Sequence, residues 1–224
     1  MPKLITVCLT SCNRFDLLKK TLDSFFNLNS YPIERFIITE DSTNIAMKEN
    51  ILKEYADKIE LIFNEVNLGA YKSIDNMYNL VNTEYIFHCE DDWLFSGNSN
   101  FIKESIDILE EKKDIHQVWL RGHNDIQYAI EPQILSLSNG FSYKMISSDH
   151  GGGWNGYSLN AGVKRLSDYS KMFPNGLSEF ILKDKKSVFT EHNCMLNTKK
   201  FGYRAAILLN SACQHIGGGR STIA

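Results

Sequence analysis

From Leu4 to Thr10 the chain is almost continuously apolar and rich in β-branched residues, the pattern of a strand covered on both faces inside a parallel sheet. Asp16 then stands where it can cap a helix. The apolar positions Leu18, Leu22, Phe25 and Phe26 recur at helical spacing until Asn29, Ser30 and Pro32 stop it. The alternation continues with a strand from Arg35 to Glu40, a helix around Ala46 to Tyr55, a strand from Ile59 to Asn64, a helix around Tyr71 to Val81 and a strand from Tyr85 to Cys89. Strands and helices in this order predict a doubly wound α/β fold: a central, mostly parallel sheet flanked by helices.

Past Trp93 the pattern changes. A helix is predicted from about Phe101 to Lys112, with Phe101, Ile102, Ser105, Ile106 and Leu109 on one face, followed by a short strand from Gln117 to Leu120. Between Gly122 and Gly162 the helical period is lost, and His150-Gly-Gly-Gly-Trp-Asn-Gly156 has the composition of a functional loop. Glu191 to Lys200 is expected to be a helix closed by Gly202, with a strand from Arg204 to Leu209 after it. No linker, internal repeat or low-complexity run interrupts the 224 residues, so one domain over 1–224 is expected.

Composition narrows the function classes. With 43% hydrophobic and 12% aromatic residues the chain can build a sizeable core, which excludes disorder as its main state. The 24 basic and 27 acidic residues include no basic block, so nucleic-acid binding is disfavoured. No run approaches the roughly 20 apolar residues that span a bilayer, and no small-residue cleavage site follows Leu4 to Leu9. Five cysteines, an odd number without a Cys-x-x-Cys pair, suit a reducing compartment. The expectation is a soluble, unprocessed, cytoplasmic protein without a transmembrane segment, for which peripheral contact with a membrane stays open.

Ligands of open α/β sheets bind beyond the carboxyl ends of the strands. Four such ends are polar here: Thr10-Ser-Cys-Asn-Arg14, Glu40-Asp-Ser42, Asn64 to Gly69, and Glu90-Asp-Asp-Trp93. Each alone is an ordinary solvated turn or helix cap; together they converge on one crevice. Three carboxylates emerging from a buried strand at Glu90, Asp91 and Asp92 repel one another and call for a compensating cation, and oxygen ligands select Mg²⁺ or Mn²⁺ with positions left open for phosphates. The competing explanation is an acidic helix start favoured by the dipole.

In its ordered blocks the chain resembles the family-two glycosyltransferases of the GT-A fold. The blocks are Ile5-Thr-Val-Cys-Leu-Thr-Ser-Cys-Asn-Arg14, Phe36-Ile-Ile-Thr-Glu-Asp-Ser42, Asn67-Leu-Gly69, Asn76, and Tyr85-Ile-Phe-His-Cys-Glu-Asp-Asp92. The resemblance implies a metal-dependent, hexosyl-type transfer from a nucleoside diphosphate sugar, UDP- or GDP-linked, to a hydroxyl of a glycan or lipid-linked acceptor. It divides the domain into a nucleotide-binding half, 1–95, and an acceptor-binding half, 96–224. By position, Thr10, Ser11, Asn13, Arg14 and Asp41 are implied to hold the base and ribose, with Asn67 also on the donor side. Of the Asp-x-Asp element, Asp91 is implied as the ribose contact and Asp92 as the metal ligand, while Glu90 departs from the pattern. Lys72 lies where a cation approaches the diphosphate.

The resemblance continues through Thr190-Glu191 and Lys200-Phe-Gly-Tyr203. It implies inversion with Glu191 as general base, and Glu179 as the competing candidate. It also implies His215 as a second ligand of Mn²⁺ or Mg²⁺. The three glycines that follow and Arg220 would let amides and a guanidinium approach a pyrophosphate. Trp154, among glycines, offers the flat apolar face that a sugar acceptor needs. Two other classes remain: a sugar nucleotidyltransferase, which normally has a glycine-rich loop where Thr10 to Arg14 has no glycine, and a non-catalytic nucleotide-sugar or glycan-binding module.

Overall fold

The structure, a computed structural model, describes residues 2–149, 156–181 and 188–220, without the side chains of Asp125 and residues 188–191. Its first part is the expected alternation: β1 (Ile5–Ser11), α1 (Phe15–Leu28), β2 (Arg35–Glu40), α2 (Ile45–Tyr55), β3 (Glu60–Phe63), α3 (Ala70–Tyr78) and β4 (Tyr85–Glu90). These strands pair in parallel in the order β3-β2-β1-β4. Because side chains alternate across a strand, Ile5, Val7 and Leu9 of β1 and Phe87 of β4 enter one apolar layer, and Cys8 and Ile86 enter the other. The first layer receives Leu18, Leu22 and Phe25 of α1 and Ile51 of α2. Its centre is a group of edge-on and tilted rings formed by Phe25, Phe36, Phe87 and Phe95.

Then follow β5 (Trp93–Phe95), α4 (Phe101–Glu111), β6 (Ile115–Trp119), β7 (Leu135–Ser136), β8 (Ser142–Met145), β9 (Gly162–Arg165), α5 (Leu166–Met172), α6 (Val188–Lys200), β10 (Arg204–Leu208) and β11 (Cys213–His215). They continue the sheet as β4-β9-β6-β10-β8-β7, which makes nine strands. This part is mixed. β9 runs antiparallel between β4 and β6, β10 is parallel to β6, and β8 and β7 are antiparallel. α4 covers the first layer, and α3, α5 and α6 cover the second.

The sequence pattern does not mark β9, because its four residues include Lys164 and Arg165. Both are buried. Arg165 satisfies its guanidinium on the carbonyls of Leu109, Lys112 and Ile115 and on Asp168, so it closes the end of α4. Lys164 lies against the rings of Tyr78 and Tyr157. At Gly162 a Cβ would press 2.6 Å from the carbonyl oxygen of Val118, so only glycine lets β9 and β6 close on each other there.

A second, two-stranded sheet forms just past the end of β4. β11 pairs antiparallel with β5 in the register His215↔Trp93, and the Ile216 amide donates to the carbonyl of Asp92 at 2.9 Å. The pairing carries the carboxy-terminal residues back across the end of β4. Among the described residues no helix is long and apolar enough to cross a membrane.

Candidate active site

The carboxyl ends of β1, β2 and β4 converge as the polar strand ends require. The turn after β1 passes through Asn13 in the left-handed region, φ 57°, a conformation asparagine tolerates better than most residues. The amides of Asn13 and Ser42 both donate to Glu40 Oε1 at 3.0 Å, so one buried carboxylate ties the loops after β1 and β2 together. Asn44 adds a side-chain bond to Asn13 at 2.9 Å. Glu40 Oε2 is buried with no hydrogen-bond partner among the described residues. Nothing in the local sequence singles out Glu40 beside Asp41; its role shows only in the two amides that the fold brings to it.

Asp41 itself is 6% exposed and engaged inside the protein. Its carboxylate accepts from the amides of Leu68 and Gly69 and from the Asn64 side chain, each at 2.8 Å. Asn67 donates to the Asp41 carbonyl at 2.7 Å. Asp41 and Asn67 thus shape the loop that enters α3, in which Gly69 takes φ 79°. Lys72 is exposed on the first turn of α3, with no ion pair among the described residues.

The tightest cluster lies at the end of β4. Asp91 is fully buried and accepts from the Ser11 hydroxyl at 3.2 Å, the Cys12 amide at 3.4 Å, and Arg14 Nε at 3.2 Å, with Arg14 Nη2 on its other oxygen. Burial pushes the Asp91 carboxyl up to about 6, while Arg14 pulls the other way. Asp92 lies beside it, with Oδ2 2.9 Å from Arg14 Nη1 and 3.3 Å from His215 Nε2. Gly217 passes so close to Asp92 that a Cβ would overlap the carboxylate. Arg220 pairs with Asp16 at 2.7 and 3.0 Å, and its carbonyl accepts from Arg14 Nη1 at 2.9 Å. Ser11, Arg14, Asp91, Asp92, His215 and Arg220 are therefore brought together, with half-buried Thr10 on β1 paired in register with Glu90.

Among the described residues no group of three or more histidines, cysteines and acids is placed to hold a metal. The smaller set fits Mn²⁺ or Mg²⁺: Asp92 Oδ1 is a buried oxygen without a hydrogen-bond partner, and His215 Nε2 is next to the other oxygen. Two protein ligands with the remaining positions left for phosphate and water is a usual arrangement for these ions.

The acceptor candidates are less complete. Trp154 lies outside the described residues, and Glu191 is on α6 with its side chain outside them. Glu179 is exposed on a short turn, Leu177–Phe180, where Asn175 Nδ2 donates to it at 3.2 Å. That turn is fixed by Asp75 of α3, which accepts from the amides of Leu177 and Ser178 at 2.7 and 2.9 Å. A cavity of about 260 Å³ lies apart from the acidic crevice, between α3 and α5, lined by Asp75, Tyr78, Tyr169 and Phe173 among others.

A sheet with helices on both faces, whose parallel strands end in a shared acidic crevice, is the architecture of the GT-A fold. The chain belongs to glycosyl transferase family 2, whose model matches residues 6–202. No curated protein matches it in sequence. Among solved structures, S. aureus TarS 1–349 is similar with a TM-score of 0.62 at 14% identity over 96% of this chain and 60% of that one. The mannosyltransferase PcManGT from Pyrobaculum calidifontis, in complex with GDP-Man and Mn²⁺, has a TM-score of 0.66 at 13% identity over 99% and 59%. TarS 1–349 in complex with UDP-GlcNAc has a TM-score of 0.62 at 12% identity over 97% and 62%. The chain thus spans about three fifths of the length of these structures.

Proposed function

We propose that the chain transfers a hexosyl group, with inversion, from a UDP- or GDP-sugar to a hydroxyl of a glycan or lipid-linked acceptor. The observation that carries this reading is the meeting of Asp91 and Asp92 at the end of β4 with Arg14 from the β1 loop and His215 and Arg220 from the carboxy-terminal return. It is the charge pattern that a nucleoside diphosphate needs: acids for ribose and cation, guanidinium groups for phosphate. The GDP-Man and UDP-GlcNAc in the similar structures support the same donor class.

In this reading Ser11, Asn13, Thr10 and the rim of Asp41 border the base and ribose, and Asp91 faces the ribose. Arg14, Lys72 and Arg220 supply positive charge to the diphosphate, and Asn67 holds the loop beneath it. Asp92 and His215 would hold Mn²⁺ or Mg²⁺, which would supply charge neutralisation at the diphosphate. Glu191 takes the proton of the acceptor hydroxyl, and Trp154 stacks on the acceptor sugar. Residues 1–95 serve the donor and 96–224 the acceptor within one domain. The five free cysteines favour a reducing, cytoplasmic setting.

The test is a panel of UDP- and GDP-sugars screened with Mn²⁺ for thermal stabilisation and donor hydrolysis. A ligand at ~100 times its dissociation constant adds roughly 2.7 kcal/mol of apparent stability. Stabilisation with hydrolysis is expected for at least one donor; no stabilisation by any of them overturns the reading, and stabilisation without turnover reduces it to a binding module.

A further inference from the structure

Arg14 occupies a peculiar position for a residue assigned only to the nucleotide. Its guanidinium spans the two acids that follow β4, pairing with Asp91 through Nε and Nη2 and with Asp92 through Nη1, and it is largely withdrawn from solvent, with 12% of its side chain exposed. The oxygen it contacts on Asp92 is the one that His215 approaches at 3.3 Å. Asp92 and His215 would thus hold a divalent ion on a carboxylate that already carries a fixed positive charge. Asp92 Oδ1, meanwhile, is buried and unpartnered among the described residues, so the carboxylate retains capacity for a second cation.

From this geometry, and resting on the glycosyl-transfer reading, we infer that Arg14 is the resident counter-cation of the Asp91–Asp92 pair and competes with the divalent ion for Asp92. Metal uptake is thereby conditional on the nucleotide diphosphate. The charges give the reason. The guanidinium offsets one of the carboxylate charges at this place and so weakens its pull on a hard, strongly hydrated dication. The diphosphate brings the further negative charge that lets both cations remain, and it offers Arg14 Nη1 a phosphate oxygen in exchange for Asp92. Arg14 Nη1 also donates to the Arg220 carbonyl, so the exchange loosens one of the contacts that hold Arg220, another being its guanidinium on Asp16. Arg14 acts here as a positioning residue, through Asp92.

Mn²⁺ binding to the purified chain without nucleotide, read from the paramagnetic resonance signal of the free ion, tests this directly. The wild type should bind weakly and gain affinity when UDP or GDP is added. Arg14→Gln should bind Mn²⁺ without nucleotide at least ~10-fold more tightly, the change expected from removing one partly buried positive charge within about 4 Å. Arg14→Lys keeps the charge but reaches only one carboxylate, so its affinity should lie between the two. Equal Mn²⁺ affinity in the wild type and Arg14→Gln overturns the proposal. Should Arg14→Gln lose its cooperative thermal transition, the comparison of wild type with Arg14→Lys decides in its place, and equal affinity there overturns it. Failure of both nucleotides to bind the wild type would instead refute glycosyl transfer, leaving the nucleotide-free comparison to decide the role of Arg14.

Discussion

The loops that leave β1, β2 and β4 and the segments that complete the site from the carboxy-terminal half are built differently. In the first region three of the acids are fastened by backbone amides of the neighbouring strand ends: Glu40 by Asn13 and Ser42, Asp41 by Leu68 and Gly69, Asp91 by Cys12. In the second, His215 and Arg220 reach the crevice through one short strand pairing and through contacts with Asp92, Arg14 and Asp16. The Arg220–Asp16 pair is about half exposed on both sides and so contributes little to stability. A nucleotide presents the same phosphate and ribose whatever sugar it carries, so its site can be rigid. His215 and Arg220, held through side-chain contacts, can exchange those contacts for a ligand's at smaller cost than acids fixed by backbone amides.

The comparison can be broken most sharply at the acceptor base. Glu191→Gln should reduce turnover by ~10²–10⁴-fold, the usual span of general-base contributions, while donor affinity measured by calorimetry stays the same. Glu179→Gln should be mild, because that side chain is exposed and paired only with Asn175 among the described residues. Loss in the second variant with full activity in the first would transfer the role to Glu179, and two active variants would argue for retention. Next in size, Asp92→Asn should cost about 10²-fold in turnover through weaker stabilisation of the leaving diphosphate. Its thermal midpoint should shift only modestly, since asparagine keeps an oxygen for the Arg14 and His215 contacts of Oδ2, and Oδ1 has no hydrogen-bond partner to lose among the described residues. Activity that persists in EDTA would speak against a metal at this position.

Asp41→Ala separates scaffold from contact. It strands two backbone amides and leaves Asn64 Nδ2 with only Ser73 of its two acceptors, so a loss of about 2–4 kcal/mol in urea denaturation is expected, together with a donor Michaelis constant that rises more than turnover falls. An unchanged urea midpoint would show that the first region is less tightly built than its hydrogen bonds suggest. The smallest effect is expected at Thr43, an exposed β-branched residue at φ 61° in the loop after β2. Thr43→Gly should stabilise the chain by about 0.5–1 kcal/mol, because the left-handed conformation costs a branched residue more than glycine loses in chain entropy. A destabilised variant would mean that the threonine side chain makes contacts that outweigh its backbone strain.

Much of the first region is legible in the amino-acid sequence. β1, β2 and β4 lie within a residue or two of their expected bounds, because a buried strand and an amphipathic helix each carry a period that local sequence displays. β8 and β9 carry no such signal: each is four residues long, and β9 hides its burial behind Lys164 and Arg165, whose charges are neutralised by carbonyls, rings and Asp168 from other elements. The acidic end of β4 is equally visible in the sequence, but the partner of its acids is not. Asp41 is expected at the nucleotide, and its carboxylate proves to be engaged chiefly with its own protein.

The sequence by itself determined the α/β alternation, the parallel first half and the set of polar residues delivered to the carboxyl edge, since all three follow from hydrophobic period and chain order. Only the tertiary structure decided which charges meet there. Arg14 finds Asp91 across 77 positions and the Arg220 carbonyl across 206. Such pairings depend on strand register and on where β11 docks, and neither leaves a trace in local periodicity: burial is a property of a segment, whereas the partner of a buried charge is a property of the whole fold.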